Sequence, residues 1–245
     1  MGPRMPGPAA AALALLAALV LPPPSASAGS AAGPTADAAG PSILVAGSAN
    51  SDTFLPVPRL PSPGENLTVP PGRNPRRGVP GGKGLNQAMA ASVLSDGDVR
   101  TSFLGRLGDD DAGSALLSAL EDAGVDASLV SRRPGSESGR GYVLVSPGGE
   151  VAAVVSGGAN ADGWSDLLDG DGGGGGGSAA EDAVRGRSLL MLQCEVPGSV
   201  NLRLAGAARA AGVPVLLDAG GEDRPACRET LSCCDFVVPN ETELR

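Results

Sequence analysis

Four runs decide the fold: SLLMLQ at 188–193, SVNLRLAGAARAA at 199–211, VPVLL at 213–217 and FVVP at 236–239. The first, third and fourth are short and almost wholly apolar. That is the pattern of strands covered on both faces. The second repeats its apolar residues at helical spacing and is followed by Gly212. A short helix is expected over 225–231. Strands alternating with helices predict βαβ units and a mainly parallel α/β sheet flanked by helices.

Working outward, SILVAGS at 42–48 reads as another buried strand, 85–94 as a helix and 99–104 as a strand. Residues 109–123 open with aspartates, place Leu116, Leu117 and Leu120 at helical spacing and close at Gly124. The segments 141–146 and 150–155 flank Pro147-Gly148-Gly149, a hairpin signal. Prolines and glycines across 53–80 suit short strands and loops, with a β-like piece at Leu67 to Val69. Residues 170–178 are nearly all glycine and read as a surface insertion.

Composition narrows the chemistry. The chain has no histidine, which excludes Ser-His-Asp hydrolysis and most zinc sites. A net charge of −9 argues against nucleic-acid or acidic-membrane partners. Aromatics are 2% of residues, so the core must come from Ala, Val and Leu. The four cysteines, Cys194, Cys227, Cys233 and Cys234, form no CxxC pair and read as buried free thiols.

Arg4, the apolar run from Ala9 to Leu21 and the small residues Ala26-Ser27-Ala28 have the order of a signal or targeting peptide over 1–28. The apolar run is too short for a stable membrane span. Residues 29–41 then form a linker, and 42–245 a single domain. Asn66-Leu67-Thr68 and Asn240-Glu241-Thr242 are glycosylation acceptors on paper. A glycan on Asn240 would obstruct the site described next, so a plastid reached through the secretory route is expected, with cytoplasm or secretion as alternatives.

Polar residues gather where apolar strands end. Asn50 and Asp52 follow the first strand, Glu195 follows 189–192, Asp218 follows 213–217, and Asn240, Glu241 and Glu243 follow 236–238. Ligands of open α/β sheets bind beyond the carboxyl ends of the strands. Carboxylates and amides converging there suit a polyhydroxyl ligand; the same residues also serve as ordinary turn formers and caps. Gly82-Lys83-Gly84 before a helix lets backbone amides approach a ligand, although no GxxxxGK[ST] P-loop occurs.

These motifs together resemble the PfkB family of carbohydrate kinases, and within it the ribokinase group. The matching pieces run in family order: Gly47-Ser48-Ala49-Asn50-Ser51-Asp52, Pro63-Gly64-Glu65, the stretch Pro80 to Ala88, Leu107-Gly108-Asp109-Asp110, Gly158-Ala159-Asn160, and Pro239-Asn240-Glu241-Thr242-Glu243. The resemblance implies a ribokinase-like fold with a small β lid built from about 53–72 and 141–155, a surface through which a homodimer would form. It implies phosphoryl transfer from ATP to the 5-hydroxyl of D-ribose. It assigns Asn50, Ser51, Asp52, Gly82, Lys83, Gly84, Asn86 and Glu195 to the sugar, Asn240 to the nucleotide and Glu243 to a magnesium–phosphate network.

There are departures. Residues 73–79 are unusually basic and proline-rich, and the glycine tract is an insertion. The family's GAGD-type motif, which carries the catalytic aspartate, lies beyond the PNETE motif, whereas this chain stops at Arg245. The resemblance therefore places no catalytic base in this chain, and no loop for the family's K+ site. Asp218 precedes Ala-Gly-Gly and a short helix, which is not the context of a base. A truncated domain, poorly soluble by itself, is expected. A non-catalytic sugar-binding fragment and a fructokinase- or nucleoside-kinase-like enzyme are the alternatives.

Overall fold

A computed structural model describes residues 40–169, 178–221, 226–241 and 243. The targeting segment expected at 1–28, nearly all of the linker and the glycine tract up to residue 177 lie outside the described residues. Within them the strands are β1 (Ser42–Ala46), β2 (Asn50–Pro56), β3 (Arg76–Gly81), β4 (Arg100–Gly108), β5 (Val130–Arg133), β6 (Gly139–Val145), β7 (Val151–Ser156), β8 (Leu189–Gln193), β9 (Val215–Asp218) and β10 (Phe236–Val238). The helices are α1 (Lys83–Ser95), α2 (Asp111–Asp122), α3 (Ser165–Leu168), α4 (Ala179–Asp182), α5 (Gly198–Ala211) and α6 (Arg228–Leu231), with a 3-10 turn at Gly158–Asn160.

Six strands form one sheet in the order β10-β9-β8-β1-β4-β5, and every pairing in it is parallel. Alternation along the strands splits its side chains between two cores. Leu44, Leu190, Leu192, Val215 and Leu217 face α5, where Val200, Leu204 and Ala208 meet them. Val45, Leu189, Met191 and Leu216 point the other way, onto Leu85 and Ala88 of α1 and Leu116 and Leu120 of α2. Burial on both faces explains why these strands read as unbroken apolar runs. Each buried leucine contributes about 1.5–3 kcal/mol. The α/β class with a parallel sheet is therefore as expected.

β1 sits inside the sheet, with β4 on one side and β8 on the other. Chain order runs outward in both directions from it. This reversal opens a crevice at the carboxyl ends of β1 and β8.

The second sheet has the order β3-β2-β6-β7. β6 and β7 are antiparallel across the expected Pro147-Gly148-Gly149 turn, with Gly149 N–H donating to Ser146 O at 3.0 Å. Its other half differs from expectation. The β-like piece at Leu67 to Val69 carries no strand. The second lid segment is β3, in the basic stretch before GGKG, because β2 offers Asn50 to Phe54 as an antiparallel partner for Gly81 to Arg76. β2 also pairs in parallel with β6, so this small sheet is mixed. β5 is a further strand that local pattern does not announce; it adds to the edge of β4.

The Leu107-Gly108-Asp109-Asp110 motif braces the two sheets. Asp110 caps α2, its Oδ1 accepting from Gly113 N–H at 2.8 Å. The same carboxylate accepts from the Ser138 hydroxyl at 2.6 Å, Ser138 N–H at 3.1 Å and Arg140 Nη2 at 3.2 Å. Those bonds hold the start of β6 against the core. Together they keep the Asp110 carboxyl below the usual carboxylate range, although burial acts first and in the opposite direction.

Candidate active site

The crevice begins with the turn after β1. Gly47 N–H donates to Leu104 O at 3.0 Å and Leu85 N–H to Ser48 O at 2.8 Å, which fixes the turn between β4 and α1. Ala49 is then clasped by one side chain. Asn160 Oδ1 accepts from Ala49 N–H at 3.0 Å, and Asn160 Nδ2 donates to Ala49 O at 3.1 Å. This two-point contact leaves the Asn160 amide only one sensible orientation. Its Nδ2 also donates to Asn50 Oδ1 at 2.8 Å, so Asn50 is oriented in turn, its Nδ2 left without a partner among the described residues. Trp164 Nε1 donates to Asn160 O at 2.7 Å and completes the clamp. Both asparagines are almost fully buried, Asn50 at 3% exposure and Asn160 at 1%.

Asp52 lies on the same face of β2 as Asn50, two residues on. Its register partners are Val79 on β3 and Gly141 on β6, while Gly81 and Gly139 stand opposite Asn50. A Cβ at Gly81 or Gly141 would collide with its carboxylate, and one at Gly139 would collide with Asn50 Oδ1 and Asn160 Nδ2. The glycines of β3 and β6 thus make room for two polar side chains from β2. Burial pushes the Asp52 carboxyl above the usual carboxylate range; the Glu195 charge adds to the rise, and an N–H from Gly141 works against it. Ser51, between Asn50 and Asp52, belongs to the opposite face of the strand.

The far wall is Glu195, just beyond β8. Its Oε2 accepts from the Ser48 hydroxyl at 2.6 Å and from Lys83 N–H at 2.8 Å. The second bond ties the carboxylate to the positive end of α1. Gly82 is the residue before this helix and has φ 88°, a left-handed conformation that only glycine adopts without strain. A Cβ on Gly84 would lie 2.6 Å from Ser48 N, so α1 closes directly onto the β1 turn. Glu195 Oε1 has no partner among the described residues.

Lys83 Nζ reaches Asp218 Oδ1 at the end of β9, 3.0 Å away. Asp218 Oδ1 also accepts from Gly220 N–H at 2.8 Å, and Gln87 Nε2 lies 3.5 Å from Oδ2. Gln87 Oε1 in turn accepts from the fully buried Gln193 at 2.9 Å. With these neighbours Asp218 anchors a lysine and a loop.

Asn240 and Glu243 close on each other. Glu243 accepts from Asn240 N–H at 2.7 Å and from Asn240 Nδ2 at 2.6 Å, and Glu243 N–H donates to Asn240 Oδ1 at 2.9 Å. Both are exposed. Gly220 lies against both Lys83 Nζ and Glu243 Oε1, which brings this turn beside the lysine.

The crevice therefore gathers Asn50, Asp52, Gly82, Lys83, Gly84 and Glu195, with Asn240 and Glu243 at its edge. Asn86 lies in the first turn of α1, exposed, with its side chain unbonded among the described residues. Sequence reasoning did not assign Asn160, Gly139 or Gly141 to the site. Asn160 stood inside the quoted Gly158-Ala159-Asn160 motif, which was the available signal. No group of three or more His, Cys, Asp or Glu able to hold a metal occurs among the described residues. No helix among them is long and apolar enough to cross a membrane.

The chain matches the model of the pfkB family of carbohydrate kinases over residues 41–245. It belongs to that family. It is 36% identical over 210 residues to a ribokinase of Arabidopsis thaliana, covering 85% of this chain and 52% of that protein. It is 30% identical over 203 residues to a ribokinase of Staphylococcus aureus, covering 82% of this chain and 61% of the relative. The solved structure of the Arabidopsis thaliana ribokinase, complexed with ribose and ATP, superposes with a TM-score of 0.69 at 35% identity. That superposition covers 84% of this chain and 62% of the other. The chain thus spans about half to three-fifths of the length of these relatives.

Proposed function

We propose that this chain supplies the sugar-gripping part of an ATP-dependent kinase that phosphorylates D-ribose on its 5-hydroxyl. The observation that carries the reading is the set of unspent polar atoms in the crevice. Asn50 Nδ2 is a donor, while Asp52 and Glu195 Oε1 are acceptors; Asn50 and Glu195 are held by bonds made elsewhere on the same groups. Vicinal hydroxyls need such a mixture, fixed in place before the ligand arrives. The similarity to a ribokinase whose structure holds ribose and ATP supports ribose as the sugar.

Phosphoryl transfer depends on positioning and on stabilising the charge of the moving group. In this reading Asp52 and Glu195 orient the sugar. The start of α1 and Lys83 present positive charge at the rim, and Asn240 approaches the nucleotide phosphates. Magnesium would enter with ATP as part of that substrate. Glu243, whose carboxylate already accepts two bonds from Asn240, would act on it through the phosphate network rather than as one of a ligand cluster. A second copy pairing across the lid is part of the proposal. Tyr142 and Val154 are register partners on the face of the lid away from Asp52, 43% and 66% exposed.

The test is a phosphorus NMR assay of the protein carrying this chain, given magnesium ATP with ribose, fructose and adenosine as competing acceptors. A new resonance coupled to the C5 protons of ribose is expected. Transfer to fructose or adenosine in preference to ribose would overturn the assignment.

A further inference from the structure

The opposite end of the main sheet carries a second concavity. Ser42, Arg100 and Leu189 begin β1, β4 and β8, so their N-terminal ends share one edge. A cavity of about 440 Å³ lies there, lined among others by Arg100, Thr101, Ser102, Asp126, Arg185 and Arg187. The five residues of β1 put roughly 15 Å between it and the sugar crevice.

Its carboxylates are engaged, while Arg100 and Arg187 keep idle N–H groups. Asp126 accepts from Ser128 N–H at 3.0 Å and from the Ser102 hydroxyl at 3.1 Å. Asp182 pairs with Arg185 at 3.1 Å. Arg187 is half-buried, with Nε donating to Ala183 O at 3.0 Å and Nη1 to Ser102 Oγ at 2.9 Å. Its Nη2 has no partner among the described residues, and the Arg100 side chain has neither a hydrogen bond nor an ion pair there. The Thr101 hydroxyl, on a residue only 3% exposed, also lacks a partner. Burial lowers the Arg187 pKa; Asp126 opposes this, and the like charge of Arg100 adds to it.

With Asp182 and Arg185 paired, two guanidinium charges, Arg100 and Arg187, meet the one carboxylate charge of Asp126, which leaves the lining with an excess of positive charge. A bridging anion would use the idle N–H groups of both. Guanidinium forks match phosphoryl oxygens bidentately. The volume exceeds what bare phosphate needs and falls in the range of small-molecule sites. We infer that this cavity binds the phosphoryl group of a small anionic molecule, at a site separate from the sugar crevice and on the other edge of the sheet.

The test is calorimetric titration of the full chain with inorganic phosphate and, separately, glucose 6-phosphate, at constant ionic strength. Saturable binding is expected, weakened about tenfold or more by Arg100→Gln. That variant removes no side-chain hydrogen bond or ion pair among the described residues. Arg187→Gln should act in the same direction; if it lowers the melting temperature, Arg100→Gln alone decides. Lys83→Gln, in the crevice, should leave this binding unchanged. Tighter binding of the ester assigns the ligand as a phosphate ester, and equal binding assigns it as free phosphate. Failure of both probes to saturate, or binding that Lys83→Gln removes and Arg100→Gln spares, would overturn the inference.

Discussion

The two ends of the crevice are built differently. At the sugar end, Asn50 is buried and locked by Asn160, which is itself clamped on Ala49 and Trp164. At the corner proposed for the nucleotide, Asn240 and Glu243 are exposed and bonded to each other three residues apart. The first arrangement is tertiary: its members come from the start of β2 with the residue before it, and from the segment 160–164. The bonds between Asn240 and Glu243 in the second span only three residues. In the proposed function, a floor built from tertiary bonds at Asn50 suits an order in which the fold fixes the orientation of the acceptor and the nucleotide brings its own charge.

The largest effect should come from removing the clamp. Asn160→Ala strips buried bonds from Ala49 and Asn50 together. It should cost about 3 kcal/mol or more, lowering the melting temperature by roughly 10 °C in calorimetry. A loss below about 1 kcal/mol would mean that the sugar end is no better braced than the corner.

Asp52→Asn should act on binding rather than on folding. Ribose affinity should fall about ten- to a hundredfold, measured by titration calorimetry. The sign of its effect on stability is opposite. Because the folded-state pKa of Asp52 is raised, the folded protein holds this proton more tightly than the unfolded chain. The stability contributed by the protonated form is fully present below the unfolded value and is lost as pH rises through the folded one. At neutral pH the charge therefore opposes folding, and Asp52→Asn should be as stable as the native chain or more so. Ribose binding should weaken on acidification at a higher pH than for an ordinary carboxylate, and Asp52→Asn should lack that inflection.

Smaller effects belong to the other side. Lys83→Gln breaks a partly exposed ion pair with Asp218 and should change stability by less than about 1 kcal/mol in urea melts. Asn240→Ala should move stability by no more than about 0.5 kcal/mol and leave ribose affinity unchanged. If Asn240→Ala weakened ribose binding as strongly as Asp52→Asn, the contrast between the two ends would disappear.

What the sequence made legible follows the same division. The sheet and its helices were readable because burial on both faces writes long apolar runs between caps and glycines, as at 188–217. Asn50, Asp52, Lys83 and Glu195 were readable because each stands just past a strand or before a helix. Their supports were not. The pairing of β2 with β6 joins residues nearly ninety positions apart, so nothing local marks Gly139 and Gly141 as the floor beneath Asn50 and Asp52. Asn160 reads as a turn residue until the turn is folded against Ala49. Leu67 to Val69 looked like a strand by composition but has no partner edge, whereas the proline-rich, basic 76–81 segment becomes one because β2 lies beside it. Ser51 shows the limit of motif reading from the other side: strand alternation turns it away from its two neighbours.

In the proposed function Asp52 and Glu195, 143 positions apart in the sequence, grip one sugar. A double-mutant cycle on ribose affinity, with Asp52→Asn, Glu195→Gln and the pair, measures it. Each single change is expected to weaken binding, and the two to be coupled by at least about 0.5 kcal/mol, since the carboxylates would share a ligand and sense each other's charge. Full additivity, or ribose binding indifferent to either change, would contradict it.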